Sequence, residues 1–460
     1  MPLLFKTENN NWYFYDDATR MTFPTEGYEK DYLEHLENID EQPDIIKMKQ
    51  DTRLHSLTEK AERYGLFKNT YLLTTFKEED VRNKLKKEGI GHLCLILTES
   101  CNFRCKYCIY SDHYTLSNGY SDKEMSFDTA KSAIDKYMDN NIKSLKYNPN
   151  LSISIGFYGG EPLLNFKTIT RVVHYVEDKY KSYFFRTIFA ITTNGYLLDE
   201  EKIQFMLDHN FAISISLDGG EQEHNRNRVT INNRPTFDIV YQNLLILDKK
   251  FNERFSFSFK NDIYPYVILV TYDNFTDLQE VYGFFKNHPD LDKRISRISK
   301  VKDLNSNYYL NSKQSDNGTI QKQKDAIDSF LYMIKFDQPI TNFIRKYVQG
   351  IIFEPSTNIN YNYDRSRGLC FPGISKLAVD VNGNFHMCEK ISLQYPIGNV
   401  EQGFDVKKQI KYLNMALSKF ENRCEKCNVR NLCTICYVTL ECSELSSLAV
   451  MCPLPISFNY

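Results

Sequence analysis

No run of about 18 consecutive apolar residues occurs in this 460-residue chain, so nothing in it reads as a membrane-spanning helix. The best apolar stretch, Tyr264 to Tyr272, is half that length and contains Pro265. The opening MPLLFKTENNNWYF has no basic segment followed by a long apolar block, which argues against a secretory signal. Charge of one sign is missing too. Lys plus Arg number 57 and Asp plus Glu 59, for a net charge of −2, which argues against the basic surface that wholesale phosphate binding needs. There is no internal repeat and no long low-complexity tract. With 42% hydrophobic and 25% charged residues, the composition excludes a disordered chain. The length predicts about three domains at roughly 150 residues each. A soluble cytoplasmic protein with no nucleic-acid and no membrane partner is expected.

Cysteine is absent between Cys108 and Cys370, and its distribution outside that gap is the informative part. Of the 12 cysteines, Cys94, Cys101, Cys105 and Cys108 precede the gap and eight follow it. An even count is compatible with disulfides, but those belong to small secreted domains. Tight clusters in a large chain without an export signal read instead as metal or iron–sulfur ligands. Cys94 stands apart: within Leu93-Cys94-Leu95-Ile96-Leu97 it reads as a small core residue.

Residues 1–88 carry alternating aromatic stretches (Trp12, Phe14 and Met21, Phe23) around the turn signal Asp16-Asp17. Helical patterns follow at 55–66 and 78–88, so a small α+β module is expected, the alternative being an extension that packs on the next domain. Residues 89–340 alternate apolar strands with amphipathic helices. Strands are predicted at His92–Thr98, Ser152–Phe157, Thr187–Thr193, Phe211–Leu217, Tyr266–Thr271 and near 294–299. Helices are predicted near 125–139, 167–181, 200–208, 237–249, 275–287 and 322–336. This α/β repetition gives a parallel sheet, open or closed, with catalytic residues at the C-terminal strand ends. The polar stretch Asn305 to Gln323 reads as a loop and 341–367 as a linker. From about 368 to 460 helix periodicity fades, and short loops imply metal clusters in place of a core.

Directly after the first barrel strand comes Cys101-x3-Cys105-x2-Cys108, with Tyr107 between the last two. Three thiolates can hold three irons of a [4Fe–4S] cube and leave the fourth iron open, as a catalytic cluster needs. At the ends of the next three strands lie Gly159-Gly160-Glu161-Pro162, then Thr193-Asn194-Gly195, then Ser216-Leu-Asp218-Gly219 followed by Arg228. Glycines let a ligand approach the backbone, a carboxylate can bind an ammonium group, and side-chain oxygens with an amide can reach ribose hydroxyls. The four marks in this order resemble the radical S-adenosylmethionine (SAM) superfamily. The resemblance implies a partial (β/α)6 barrel and one SAM-binding [4Fe–4S] cluster on Cys101, Cys105 and Cys108. It also implies cofactor-binding roles for Tyr107 (against adenine), Gly159, Gly160, Glu161, Thr193, Asn194, Ser216, Asp218 and Arg228. Arg228 would pair with the SAM carboxylate as a planar fork.

The second cysteine group runs Cys370-x17-Cys388, Cys424-x2-Cys427-x5-Cys433-x2-Cys436, then Cys442 and Cys452. It resembles the SPASM extension of radical SAM enzymes, which carries two auxiliary iron–sulfur clusters. By that pattern Cys424, Cys427, Cys433 and Cys452 would hold an outer cluster and Cys370, Cys388 and Cys436 an inner one. The x2 spacing before Cys436, where the family has x3, and the additional Cys442 depart from it. Either Cys442 completes the inner cluster or that cluster keeps an open iron. A zinc ribbon is the alternative, although the x5 interval is shorter than the usual 15–20 or so.

Enzymes with both features mostly act on peptides or proteins. The resemblance therefore implies a maturase of a ribosomally made precursor peptide. A winged-helix-like module at 1–88 would bind the leader by adding a strand to a sheet edge. The bond expected is a Cys thioether, with carbon–carbon crosslinking or sulfatase maturation as alternatives. Three [4Fe–4S] clusters, SAM and a low-potential donor such as flavodoxin or ferredoxin complete the expectation. From another class, a non-catalytic iron–sulfur or zinc scaffold predicts no SAM cleavage.

Overall fold

The structure, a computed structural model, describes residues 2–418 except 8, 40, 69–74, 115–116, 184, 256–265, 302–305, 312–316, 337 and 352–369. Among these, one unit holds 2–77, Cys370 and 410–418, and the other holds 78–351 and 371–409.

In the first unit, β1 (Leu3–Lys6), β2 (Trp12–Asp16) and β3 (Met21–Pro24) form an antiparallel sheet in sequence order. The turn between β2 and β3 is held by Asp16, whose carboxylate accepts from the Thr19 backbone N–H (2.8 Å) and hydroxyl (2.7 Å). Its other oxygen accepts from the Phe67 N–H at 2.9 Å, tying the sheet to the helices behind it. Two of these are α1 (Gly27–Asn38) and α2 (His55–Tyr64). Phe14, Leu33, Met48, Leu54, Leu57, Ala61, Leu66 and Phe67 make a buried cluster of their own. The strands over Trp12–Phe14 and Met21–Phe23 and the helix in 55–66 follow the sequence pattern. Strand β1 and helix α1 had no signal strong enough to be read.

The second unit begins with α3 (Glu78–Glu88), so this helix belongs with the barrel and not with the N-terminal module, whose boundary was expected at 88. Then follow β4 (Leu93–Thr98), α4 (Phe127–Ser144), β5 (Ile153–Gly159), α5 (Phe166–Tyr180), β6 (Thr187–Thr193), α6 (Glu200–Asp208) and β7 (Ala212–Ser216). After them come α7 (Phe237–Phe255), β8 (Val267–Tyr272), α8 (Leu278–Asn287), β9 (Ile295–Lys300), α9 (Asn317–Lys335) and α10 (Asn342–Ile351). Strands β4 to β9 are parallel and adjacent in chain order, the six-stranded arrangement expected for a partial barrel. Every residue of β4 is buried, as a strand covered on both faces requires. Helix starts are marked by side-chain caps: Ser126 accepts from Thr129 N–H, Asp199 from Lys202 N–H and Asp277 from Gln279 N–H.

The sheet does not stop at β4. Strand β10 (Leu377–Val379) pairs parallel to it, with Leu377 opposite Leu93 and Val379 opposite Leu95. Strands β11 (Asn384–His386), β12 (Gly398–Asn399) and β13 (Gly403–Phe404) continue antiparallel, giving ten strands in all. Residues 371–409, assigned by sequence to the cysteine-rich domain, are thus built into the barrel sheet.

Three local expectations need correcting. The polar stretch Asn305–Gln323 is not one loop, because α9 already begins at Asn317. Its polarity serves packing: the Gln323 amide is buried and donates to the carbonyls of Asp273 (2.7 Å) and Thr276 (2.8 Å). The supposed linker carries α10, whose Phe343, Ile344, Tyr347 and Val348 are buried and whose first N–H groups are capped by Asp292. Helix character also returns late, in α11 (Val406–Ser418), whose start Asp405 caps through Lys408 N–H.

Candidate active site

The three-cysteine loop leaves the C-terminal end of β4 and is held along its length to the segment after β7. Arg104 N–H donates to the Val229 carbonyl (2.8 Å), Lys106 N–H to Asn227 (3.0 Å) and Ile231 N–H to Asn102 (3.2 Å). Cys101 is buried, and Cys105 and Cys108 are partly buried. Two of the sulfurs accept backbone N–H groups, Cys101 from Phe103 (3.4 Å) and Cys108 from Tyr110 (3.5 Å). Burial pushes the Cys101 thiol up. Burial also pushes Cys105 up, to about 12, with Arg228 pulling the other way. Three thiols in one loop, with N–H donors on their sulfurs, suit an iron–sulfur cluster, since coordination removes the thiol protons and such donors tune the cluster.

Gly159 and Gly160 sit where β5 ends against this loop. A Cβ on Gly159, whose φ is +132°, would lie 2.3 Å from the Thr98 carbonyl oxygen. A Cβ on Gly160 would lie 2.1 Å from that of Ser100 and 3.1 Å from the Cys101 Cβ. The sequence suggested that these glycines admit a ligand. In the structure what they admit is the chain's own cysteine loop, fastened by Gly160 N–H to Thr98 O (2.9 Å) and Glu161 N–H to Ser100 O (3.0 Å).

The Glu161 carboxylate, 1% exposed, ties two strand ends together. It accepts from Leu163 N–H (3.1 Å), the Thr193 hydroxyl (2.7 Å) and Asn194 N–H (2.8 Å). Burial raises its pKa. Asn194 in turn donates its amide to Asn102 Oδ1 (2.8 Å) and toward Cys101 Sγ (3.9 Å). Asn102 was missed from sequence; its place inside the cysteine motif, after Cys101, was the signal.

Tyr107, Asp218 and Arg228 also meet. The Tyr107 hydroxyl donates to Asp218 Oδ2 and accepts from Arg228 Nη1 at 2.7 Å. Asp218 Oδ1 accepts from Thr271 N–H (2.9 Å), and Arg228 Nη1 stands 3.9 Å from Asp218 Oδ2. Burial raises the Asp218 pKa against the pull of Arg228. Arg228 is 6% exposed, yet its Nε has no hydrogen-bond partner among the described residues. A buried unpaired donor costs about 1–3 kcal/mol, which an anionic ligand group at this place would recover. Ser216 lies half-buried at the end of β7. The loops after β4 to β7 carry the barrel residues singled out by sequence, with Arg228 just past a short helix at Glu221–Asn227.

Cys94 is a core residue, buried opposite Gly156 of β5 and Ala378 of β10. Of the second cysteine group, Cys370 is described and exposed, and Cys388 is partly buried beside Glu389. The Glu389 carboxylate receives the Cys388 thiol at 3.3 Å and both its oxygens lie 3.0 Å from Lys376 Nζ. Neither Lys376 nor Glu389 was picked out from sequence. Cys424, Cys427, Cys433, Cys436, Cys442 and Cys452 lie outside the described residues.

Residues 95–278 match the model of the Radical SAM superfamily. Over 136 residues, 29% of this chain, the sequence is 37% identical to an uncharacterized protein of Methanocaldococcus jannaschii, spanning 41% of its length. Over 382 residues it is 26% identical to the radical SAM cyclopropyl synthase TigE of Paramaledivibacter caminithermalis, covering 80% of this chain and 73% of that one. It is 23% identical to a cysteine-type anaerobic sulfatase-maturating enzyme of Clostridium novyi, covering 73% of this chain and 84% of the relative. Among solved structures, Streptococcus suis SuiB bound to its precursor peptide SuiA aligns with a TM-score of 0.50 at 14% identity, over 99% of this chain and 100% of that one.

Proposed function

Since the chain belongs to the radical SAM superfamily and is an enzyme of that kind through its 95–278 region, we propose that it matures a ribosomally made precursor peptide by an intramolecular crosslink, a Cys thioether. The observation that carries the peptide reading is the N-terminal unit. Its three-stranded sheet and buried cluster are an addition to the barrel, and a sheet edge is a surface on which a leader strand can pair. A peptide or protein substrate is supported by the sulfatase-maturating relative, through its namesake substrate, and by SuiB, solved with its precursor peptide, while TigE, named a cyclopropyl synthase, points to carbon–carbon chemistry. Those two activities are the alternative readings.

When bound, SAM and its [4Fe–4S] cluster supply a 5′-deoxyadenosyl radical able to take a hydrogen atom from the substrate. In this reading Cys101, Cys105 and Cys108 hold the cluster, and Arg228 offers its free Nε to the SAM carboxylate. Tyr107 is positioned by the hydroxyl bonds to Asp218 and Arg228 and presents its ring to the adenine. Glu161 has spent three acceptor sites on Leu163, Thr193 and Asn194, so its main work is to set the Gly159–Gly160 backbone, with room for one further donor such as the SAM ammonium. Thr193 and Asn194 would reach the ribose hydroxyls, and Ser216 would contact SAM. Cys370, Cys388, Cys424, Cys427, Cys433, Cys436 and Cys452, with or without Cys442, would hold two auxiliary clusters, whose chemistry would be to take up one electron from a substrate radical. A cytoplasmic flavodoxin or ferredoxin supplies the reducing electron.

The test is turnover of the reduced holoenzyme with SAM and the short Cys-containing peptide encoded beside its gene. Formation of 5′-deoxyadenosine with a product lacking two hydrogens and one free thiol is expected. Loss of two hydrogens with all thiols intact would favour the carbon–carbon reading. An aldehyde product would favour the sulfatase reading. Absence of 5′-deoxyadenosine would overturn the catalytic assignment.

A further inference from the structure

At the other end of the barrel strands from the cysteine loop, three ligating side chains come together that neither the cluster nor SAM uses. His174 and Glu177 are three residues apart on α5, hence on one face of that helix. His209 lies just past α6, three residues before β7 starts. Ligand atoms of all three, one from each side chain, lie within 4.8 Å of one another. His209 Nδ1 is hydrogen-bonded to Glu177 Oε1 at 2.8 Å.

The backbone under His209 is tightly specified. Its N–H donates to Phe205 O (3.1 Å), and the next residue, Asn210, turns the chain at φ +51°. The Phe205 ring then packs against both imidazoles, with centroids 4.4 Å from His209 and 5.8 Å from His174, and the two imidazoles meet edge-on at 5.4 Å. The imidazoles are therefore oriented by packing before any ligand arrives, and preorientation lowers the entropy cost of coordination. All three groups are reachable from solvent: the Glu177 side chain is 41% exposed and that of His209 18%.

We propose that His174, Glu177 and His209 form a binding site for a divalent transition-metal ion of the zinc type, separate from the cysteine ligands. Two imidazoles and one carboxylate suit zinc, cobalt or nickel, whereas magnesium and calcium favour all-oxygen sets. Zinc binds N and O ligands at about 2.0–2.1 Å, which places tetrahedral ligands roughly 3.4 Å apart, so side-chain rotations of about 1 Å close the present arrangement. Water completes the coordination. The ion would clasp α5 to the turn between α6 and β7 and so act on the stability of the barrel's outer face.

The experiment uses the full chain with its iron–sulfur clusters reconstituted and chelator-washed, dialysed anaerobically against micromolar zinc. Metal per chain is then counted for the parent protein, for His174→Ala with His209→Ala, and for Glu177→Gln. One zinc per chain is expected in the parent, with binding at least tenfold weaker in both variants and with iron content and SAM cleavage unchanged. Zinc K-edge absorption of the parent protein should show a nitrogen and oxygen shell without sulfur. A sulfur shell would mean that zinc sits on vacated cysteines and would overturn the proposal, as would zinc binding that the substitutions do not alter, or no saturable zinc at all.

Discussion

Gly160 shows how a single missing atom places the cysteine loop. A Cβ there would meet the Ser100 backbone carbonyl at 2.1 Å, and a backbone atom cannot swing aside as the end of a flexible side chain can. Gly160→Ala should therefore push Thr98–Cys101 away from β5 and displace the first thiol of the cluster. The expected result is a protein that loses one cube's iron and at least about a hundredfold in 5′-deoxyadenosine formation, a barrier increase of about 2.7 kcal/mol. Gly283→Ala is the control, because a Cβ there meets nothing within 4 Å. It should keep both properties and, lying inside α8, gain about 0.5–1 kcal/mol of stability. Equal iron and activity in Gly160→Ala would show that this close approach is not what sets the loop.

Between elements, the neighbourhood of β4 is unusually polar for a central strand. His92, at its entry, is hydrogen-bonded to Ser154 of β5 at 2.7 Å, and Lys376 and Glu389, from the β10–β11 extension, face it. Burial first, and the Lys376 charge second, push the His92 pKa down to about 4 from its usual 6.5. Above about pH 7.5 the ring is neutral in folded and unfolded chains alike and adds no pH dependence. Below it the unfolded chain takes up a proton that the folded one refuses until about pH 4, so stability falls across that window. By pH 5.5 the loss should be about 1.4 kcal/mol, one pKa unit being worth about 1.4. Thermal unfolding of the holoenzyme at pH 7.5 and 5.5 measures it, and His92→Gln should remove that increment. A variant whose midpoint still falls by the same amount would assign the dependence to another group.

On the scale of the whole molecule, the position of α3 decides where a truncation should be cut. The N-terminal buried cluster runs from Phe14 to Phe67, whereas α3 belongs with the barrel. Phe76 exchanges two hydrogen bonds with the Asn414 side chain, at 2.6 and 2.9 Å, and should be kept. Removal of residues 1–68 is therefore expected to leave 5′-deoxyadenosine formation without peptide intact while conversion of full-length precursor falls steeply. A precursor lacking its leader should be a correspondingly poor substrate for the intact enzyme, which keeps the question answerable if the truncated chain is insoluble. Unchanged conversion in either arm would defeat the leader-binding role.

The sequence alone was enough for the parts of this protein that depend on local pattern. Cys101, Cys105 and Cys108 are eight residues from end to end, the glycine pair and Thr193-Asn194 mark strand ends by their own chemistry, and all six barrel strands follow from apolar runs bounded by turns. Tertiary structure decided what depends on partners distant in sequence. The pairing of β10 with β4 joins residues nearly three hundred positions apart, and no periodicity announces it. Polar residues misled for the same reason. Gln323 closes a stretch that reads as a loop until folding brings to its amide the carbonyls it serves. The Tyr107–Asp218–Arg228 contact and the His174–Glu177–His209 group are likewise assembled across separate strands and helices. A side chain's type is written in the chain; which unsatisfied donor or acceptor it will meet is set only when buried polar groups must be paired.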